Sequence, residues 1–508
     1  MTKKKKMIII AIIVSVVIIL TMGIVFTLLY INTDMFKSSE NLFFKYIGKN
    51  TENLKATENI LNETEINNLL ENNKHEESVD VNINYIKNLG TTSENTSNSV
   101  NQSKIKIQGK TDKSNKYDYK DIRLLNNDEE TLKLEYIRDD NIYGIRFSDL
   151  YKQYLTTENT DIKDLLRNIG YEEEQLQNIP DSIILDEDIL SRIKFSDDEV
   201  GKLENKYLEL IKQNTSKEMF EKQANQTITV NEKSVATNAY VLNLTKEQLN
   251  NIYIKILENI KEDEIILSKI ENIQDIVNQK NIISIGNSID LKEKVINTID
   301  STIQQINQNN IGNEQTKIIV YENQGQTVRT SIQGVDYEVN LDFLQNGEEG
   351  FLQFNYSKNE KQIRKFTLVS KGEKVILKIE DNTKDNPVKI DIEQNIKTQK
   401  DAYTKNVVMV YENEANRIQA NILNKTNIVN EFENQIMLDD KNSIQLDKME
   451  KEQLQKLMIV VKEGVNNKIN SVSEKIKKED IEEILKAIGI IKEEEKLNTT
   501  RNIWYRKN

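Results

Sequence analysis

Between Thr316 and Leu446 the chain alternates apolar and polar residues with little interruption. The segments read TKIIVYE, TVRTSIQ, VDYEVNLDFL, GFLQFNYS, IRKFTLVS, KVILKIE, VKIDIEQ, NVVMVYE, RIQANIL and IVNEFENQIML. A period of two sends successive side chains to opposite faces, so each segment reads as a half-buried strand with one wet face, the signature of an antiparallel sheet. Polar turns such as Asn323-Gln324-Gly325, Lys371-Gly372 and Asp385-Asn386-Pro387 separate them. Connections that short make neighbours pair in chain order, as a meander. An open sheet of about ten such strands must curl, and its apolar face needs a cover. The helical stretches at 245–309 and 447–491 are the candidates to provide it.

The same texture occurs earlier, in VDVNINYI, KIKIQGK, YDYKDIRLL, LKLEYIRD and IYGIRF, joined by Asn126-Asn127-Asp128 and Asp139-Asp140-Asn141. Residues 90–101 read as a polar loop. Residues 148–213 read as helical with a break at Pro180, and 226–244 return to alternation. Thr245 caps the next helix, with Gln248 at the capping-box position. Upstream, residues 35–71 read as helical, with Ser38 or Ser39 as cap and a break at Gly48. Leu42, Phe43, Tyr46 and Ile47 share one face, which reads as a stalk helix docking on the domain; a sharper reading makes Phe43 and Phe44 anchors for a partner. Val320-Tyr321-Glu322-Asn323 and Val410-Tyr411-Glu412-Asn413 repeat one tetrapeptide, and tandem domains and a single enlarged sheet are both open.

A second feature concerns location. Residues 7–30 carry no charge and follow Lys3, Lys4, Lys5 and Lys6. At a rise of about 1.5 Å per residue they span roughly 36 Å, enough to cross a bilayer. The positive-inside rule then keeps the N-terminus in the cytoplasm and the C-terminal bulk extracellular. The run exceeds a signal-peptide core, no A-x-A site follows it, and no cysteine is present for acylation, so the expectation is an uncleaved single-pass signal-anchor in the cell membrane. The expected fold class is therefore α+β: an N-terminal transmembrane helix, then a large curved antiparallel meander sheet, or sheets, covered on one face by helices. The expected divisions are a cytoplasmic stub 1–6, the transmembrane helix 7–30, juxtamembrane helices 31–75, a first sheet with helices 76–225, a second, larger sheet with covering helices 226–491, and a polar tail 492–508.

Chemistry is harder to find. The 508 residues include no cysteine and one histidine. That excludes disulfides, thiolate metal sites and cysteine nucleophiles, and disfavours a histidine-based triad or a multi-histidine metal site. His75, within NNKHEES, reads as exposed. The net charge of −13 includes the four N-terminal lysines, so the remainder is still more acidic. With no arginine-rich stripe, nucleic acid is disfavoured as a partner. Phosphate loops, GxSxG and HExxH are absent. Ser103 and Lys106 match SxxK, but on a strand residues three apart face opposite sides. Asp186-Glu187-Asp188 and Asp197-Asp198-Glu199 lack EF-hand spacing and read as solvated faces. Among 82 acidic residues no glycosidase-type pair can be singled out. No catalytic, cofactor-binding or metal residue is assigned, and no cofactor is implied.

The lysine-led apolar run followed by DMFKSSENLFFKYIGKN, together with YIRDDNIYGIRFSDLYKQYL and VATNAYVLNLTKEQL, resembles uncharacterised single-pass membrane proteins of low-GC Gram-positive bacteria such as clostridia. Helices laid on a large curved antiparallel sheet are similar, in architecture only, to the LolA-type and RseB-like lipoprotein-carrier folds, a resemblance that implies an acyl chain held between sheet and helices. The expected function is a non-enzymatic, membrane-anchored extracytoplasmic binding or interaction protein, with residues 7–30 in the lipid bilayer and a lipid, apolar ligand or envelope protein as partner. The alternatives are a cell-envelope hydrolase using a carboxylate pair and a structural or sensory envelope partner.

Overall fold

The computed structural model describes residues 38–487, leaving out internal stretches of which the longest is 177–191. Its strands form one 18-stranded sheet. The strands are β1 (His75–Lys87), β2 (Ser103–Asp112), β3 (Tyr117–Asn126), β4 (Glu129–Asp139), β5 (Ile142–Arg146), β6 (Tyr154–Glu158), β7 (Phe220–Val230), β8 (Lys233–Thr245) and β9 (Gln315–Asn323). They continue with β10 (Gln326–Gln333), β11 (Tyr337–Asn346), β12 (Glu349–Lys358), β13 (Lys361–Lys371), β14 (Lys374–Asp381), β15 (Val388–Gln399), β16 (Ala402–Glu412), β17 (Asn416–Ile428) and β18 (Ser443–Gln445). From β7 to β17 each strand pairs antiparallel with the next. β17 then pairs with β1, and β1 to β6 follow in order. β18 closes the series beside β6 in the one parallel pairing among the described strands.

The meander is thus as expected, but the expected fold class needs correcting. The early and late strands belong to a single sheet because β1 pairs over its full length with β17 on one side and, from His75 to Asn82, with β2 on the other. The helices do not blanket one face; they gather towards the two ends of the strand order. Nor is the expected transmembrane or signal-anchor helix part of this fold: among the described residues no helix is long and apolar enough to cross a membrane. The run at 7–30 itself lies outside the described residues.

At the β7 end, helices α1 (Ser39–Ile60), α4 (Asp197–Gln213), α5 (Lys246–Lys261), α6 (Glu264–Ser284) and α7 (Leu291–Asn309) share the largest core with β7, β8 and β9. The short helices α2 (Ile162–Asn168) and α3 (Glu173–Leu176) precede them. The α1 stripe of Leu42, Phe43, Tyr46 and Ile47 is buried as its spacing predicts, with Phe43 edge-on to Phe220 and Tyr46 stacked on Tyr240. Ser38 Oγ accepts from Asn41 N at the start of α1, and the helix runs through Gly48 without the expected break. Thr245 and Gln248 form the expected capping box of α5. At the other end, α8 (Lys451–Lys475) packs near β4, and α9 (Lys478–Ala487) follows it.

Other expectations fail locally. Tyr154–Glu158 is a strand within a stretch read as helical, because it bridges β5 and β18. Residues 429–442 are irregular rather than a strand, and their Phe432, Ile436 and Leu438 pack over Tyr117, Ile137 and Tyr154. His75 is only 6% exposed, since it opens β1 between Thr111 and Ile428.

The β2–β3 turn supplies a pH-sensitive element. Burial pushes the Asp112 carboxyl up, but hydrogen bonds from Ser114 Oγ and from the Asn115 side chain and backbone, with Lys74 Nζ at 3.1 Å, outweigh it and hold its pKa at about 2. A depressed carboxylate stabilises above its unfolded pKa of 3.8 and loses that contribution as pH falls towards 2. Asp112→Asn is therefore expected to cost about 1 kcal/mol at pH 7 and progressively less below pH 4, read from urea midpoints across that range.

Candidate functional site

Register makes the two faces of the sheet chemically distinct. On one face, cross-strand partners form continuous apolar rows. One runs Leu352, Leu368, Leu377, Ile392, Met409, Ala420 and Ile83 from β12 to β1. The next row towards one end of the strands is Phe366, Ile379, Ile390, Tyr411, Ile418 and Tyr85. Towards the other end run Val407, Ile422, Val81, Ile105, Leu124 and Leu132, then Val79, Ile107, Ile122 and Leu134. Side chains directly opposite one another lie close enough to touch, so these rows form one surface. The reverse face of the same strands is polar, as in the row Glu393, Val408, Asn421, Asn82 and Lys104.

The apolar face is roofed in some places and open in others. Helices cover it at β7–β9, and helical residues Ile66 and Leu70 pack on Ile396 and Tyr403. Between these covers and α8, the side chains of β14–β17 and β1–β3 are mostly only half-buried, and Met409 is 37% exposed. α8 itself leaves Ile459 and Val460 exposed.

A polar row crosses one end of the open strip: Tyr403, Thr426, Glu77, Gly109, Lys120 and Tyr136 on consecutive strands from β16 to β4. Lys120 Nζ reaches Glu77 Oε1 at 2.8 Å, although β2 lies between their strands. Gly109 makes this possible, since a Cβ there would come within 2.6 Å of Glu77 Oε1 and 2.7 Å of its Cγ. At the opposite strand ends lies a cleft of about 790 Å³ bounded by Tyr85, Lys87, Asn413, Asn416 and the α9 residues Glu479 to Lys486. The Tyr85 hydroxyl donates to Asn416 Oδ1 at 2.9 Å; burial, with Glu483 nearby, pushes it up to about 12. α9 is held there by Asp480, which accepts from Ser99 N at 2.6 Å, and by a Lys87–Glu483 ion pair.

The polar face carries a carboxylate pair that sequence reasoning did not single out. Asp121 and Glu135 face each other across β3 and β4, both buried. Lys133 Nζ bridges them at 3.3 and 3.5 Å. Arg123 grips Asp121 with two hydrogen bonds, and Glu135 accepts from Arg146 Nε at 2.6 Å and Tyr119 Oη at 2.9 Å. Burial raises both carboxyls, but these cations and hydrogen bonds prevail and hold both below the usual range. Two-carboxylate hydrolysis needs one partner held protonated near neutrality, and neither member of this pair is. Ser103 and Lys106 lie on β2, with Ser103 Oγ donating to the Ser99 carbonyl. Asp197, Asp198 and Glu199 form the first turn of α4, where Glu199 caps Ser196 N and pairs with Lys269. Asp186-Glu187-Asp188 lies outside the described residues.

No curated protein matches the chain. Among solved structures it is similar to the CymD monoaromatic hydrocarbon channel at 6% identity and a TM-score of 0.17, over 71% of this chain and 89% of that one. It is also similar to the outer membrane protein OpdK of Pseudomonas aeruginosa at 6% identity and a TM-score of 0.15, over 70% and 98%. Likeness at that level carries no argument about fold or function. A family model, in contrast, matches residues 1–487, and the chain belongs to that family, DUF6583, a family of unknown function.

Proposed function

We propose that this chain is a non-catalytic binding protein that holds the acyl chain of a lipid on the open apolar strip of its sheet. The observation that carries the reading is the continuity of the apolar rows across the middle of β14–β17 and β1–β3, where the described helices leave the side chains only half-buried. Each apolar Å² that remains in contact with water costs about 25 cal/mol, so a continuous row of half-buried apolar side chains gains by being covered. The uncharged run at 7–30 behind four lysines supports a place at the cell membrane, with the sheet on its extracellular side. The resemblance to uncharacterised proteins of low-GC Gram-positive bacteria supports the same reading.

Photocrosslinking tests this directly. The full chain in phospholipid vesicles is illuminated with a diazirine-bearing 16-carbon fatty acid and the adducts are mapped by peptide mass spectrometry. Adducts are expected on alternate residues of the open strands, among them Leu377, Ile392, Met409 and Ile422, and not on their polar-face neighbours. Absence of adducts from these strands would overturn the reading.

A further inference from the structure

Resting on that reading, we infer that the open strip has an occupant of its own: the C-terminal segment of this chain, residues 488–505, lies across β14–β17 and is displaced by the acyl chain.

α9 carries the chain to the strip. Val79, Val81, Ile83, Tyr85 and Lys87 share one face of β1, so the Lys87–Glu483 ion pair puts α9 on the apolar side of the sheet. Asp480 accepts from Ser99 N just ahead of β2, and Glu483 meets Lys87 on β1. The helix rises about 4.5 Å between those two residues, close to one strand spacing of about 4.8 Å, so it crosses the strand ends from β2 towards β17. Lys486 lines the cleft with Asn413 and Asn416 at the β16–β17 turn. α9 ends at Ala487, pointed at the half-buried apolar rows of β14–β17.

The sequence beyond Ala487 suits that surface. It opens with Ile488, Ile490 and Ile491, continues through the charged stretch KEEEK, and returns to apolar residues at Ile503, Trp504 and Tyr505. The 17 residues from Ala487 to Trp504 reach at most about 56 Å. Met409 is three residues inside the end of β16, about 10 Å from the turn. Trp504 and Tyr505 each bring about 150–250 Å² of largely apolar surface that gains by leaving water. Tethering strengthens the cover, because a segment held this close faces the strip at an effective concentration of about 1 mM. A cover seated about nine-tenths of the time lowers the apparent affinity for an acyl chain about tenfold.

Trp504 is the one tryptophan of the chain and no cysteine is present, so a single substitution gives a clean proximity pair. Met409→Cys and, in a second protein, Val408→Cys each carry a nitroxide, which quenches tryptophan on close approach. Trp504 fluorescence of the full chain in phospholipid vesicles is read before and after the nitroxide is reduced. Quenching of at least twofold is expected from position 409 and almost none from 408, on the reverse face, and 16-carbon fatty acid should relieve it. Ile503→Ser, Trp504→Ser and Tyr505→Ser together should raise labelling of the strip by the 16-carbon diazirine probe at least threefold. Equal quenching from both positions, or none from 409, overturns the placement of the segment. Quenching from 409 that fatty acid leaves unchanged, with the strip labelled equally in the wild-type and triple-serine chains, overturns the competition while the binding reading stands. Absence of strip labelling in both chains sinks the binding reading, and the displacement with it.

Discussion

Arg329→Leu is expected to destabilise the protein by about 3–5 kcal/mol, the cost of leaving a buried carboxylate without its partner. Arg329 on β10 grips Asp342 on β11, with Nη2 to Oδ2 at 2.8 Å, and Asp342 is 1% exposed. The same guanidinium donates to the Thr229 carbonyl at 2.8 Å. β7 and β10 are three strands apart, about 14 Å on a flat sheet, so this bond exists only because the β7 end coils back over the polar face. The substitution removes the counter-charge and the tie across the coil together. Burial already pushes the Asp342 carboxyl up, with Arg329 pulling it back only in part. Without Arg329 the folded pKa rises further. A raised carboxyl favours the folded state when protonated, so the variant should recover part of its loss as pH falls from 8 to 5. Arg329→Leu with Asp342→Leu should recover most of it at every pH, since no unpaired charge is then buried. Urea denaturation of the three proteins at pH 8 and pH 5 reads all of this. A loss below 1 kcal/mol for the single variant, or none of the recovery, would show that the pair is solvated.

How far the sequence discloses this architecture can be judged strand by strand. The alternation in KVILKIE and VKIDIEQ specifies both strands and, through the short turns between neighbours, their order. That logic is local, and it serves well from β9 to β17. It fails at β1, whose partners include β17, more than 300 positions away. Nothing in VDVNINYI distinguishes a strand that begins a separate sheet from one that joins two meanders, because both need the same apolar face. Tyr154–Glu158 escapes the periodicity for a related reason: its strand character comes from pairing with β5 and with distant β18. The buried carboxylates were illegible because Asp121 and Glu135 look like any outward-facing strand acids until Phe432 and its neighbours are folded over that side of the sheet. His75 reads as exposed in its polar stretch because burial there is imposed by the flanking strands. The apolar strip was the most legible part of the site, since each row is the sum of single-strand alternations. Its limits were not, because the Glu77–Lys120 pair that crosses one end needs Gly109 set between them by register.

Met409→Glu is expected to lower acyl-chain binding at least 100-fold while changing stability by less than about 1 kcal/mol. Met409 lies mid-strip on β16, between Ile392 and Ala420, and is already 37% exposed. A glutamate there keeps its water in the free protein, so folding is little affected. Under a bound alkyl chain that water is stripped with no cation across the row to replace it, and the carboxylate must either be desolvated or exclude the ligand. Val408→Glu provides the matched control. It is the adjacent residue, but strand geometry turns it to the polar face beside Glu393 and Asn421, so the same charge added one position away should leave binding within twofold. The pair is read by photolabelling with the 16-carbon probe, alongside thermal denaturation. Equal losses for both variants would mean that the effect is general electrostatics or damage to β16. Loss for Met409→Glu alone, with both proteins folded, ties binding to one face of one strand, a result that global instability cannot produce.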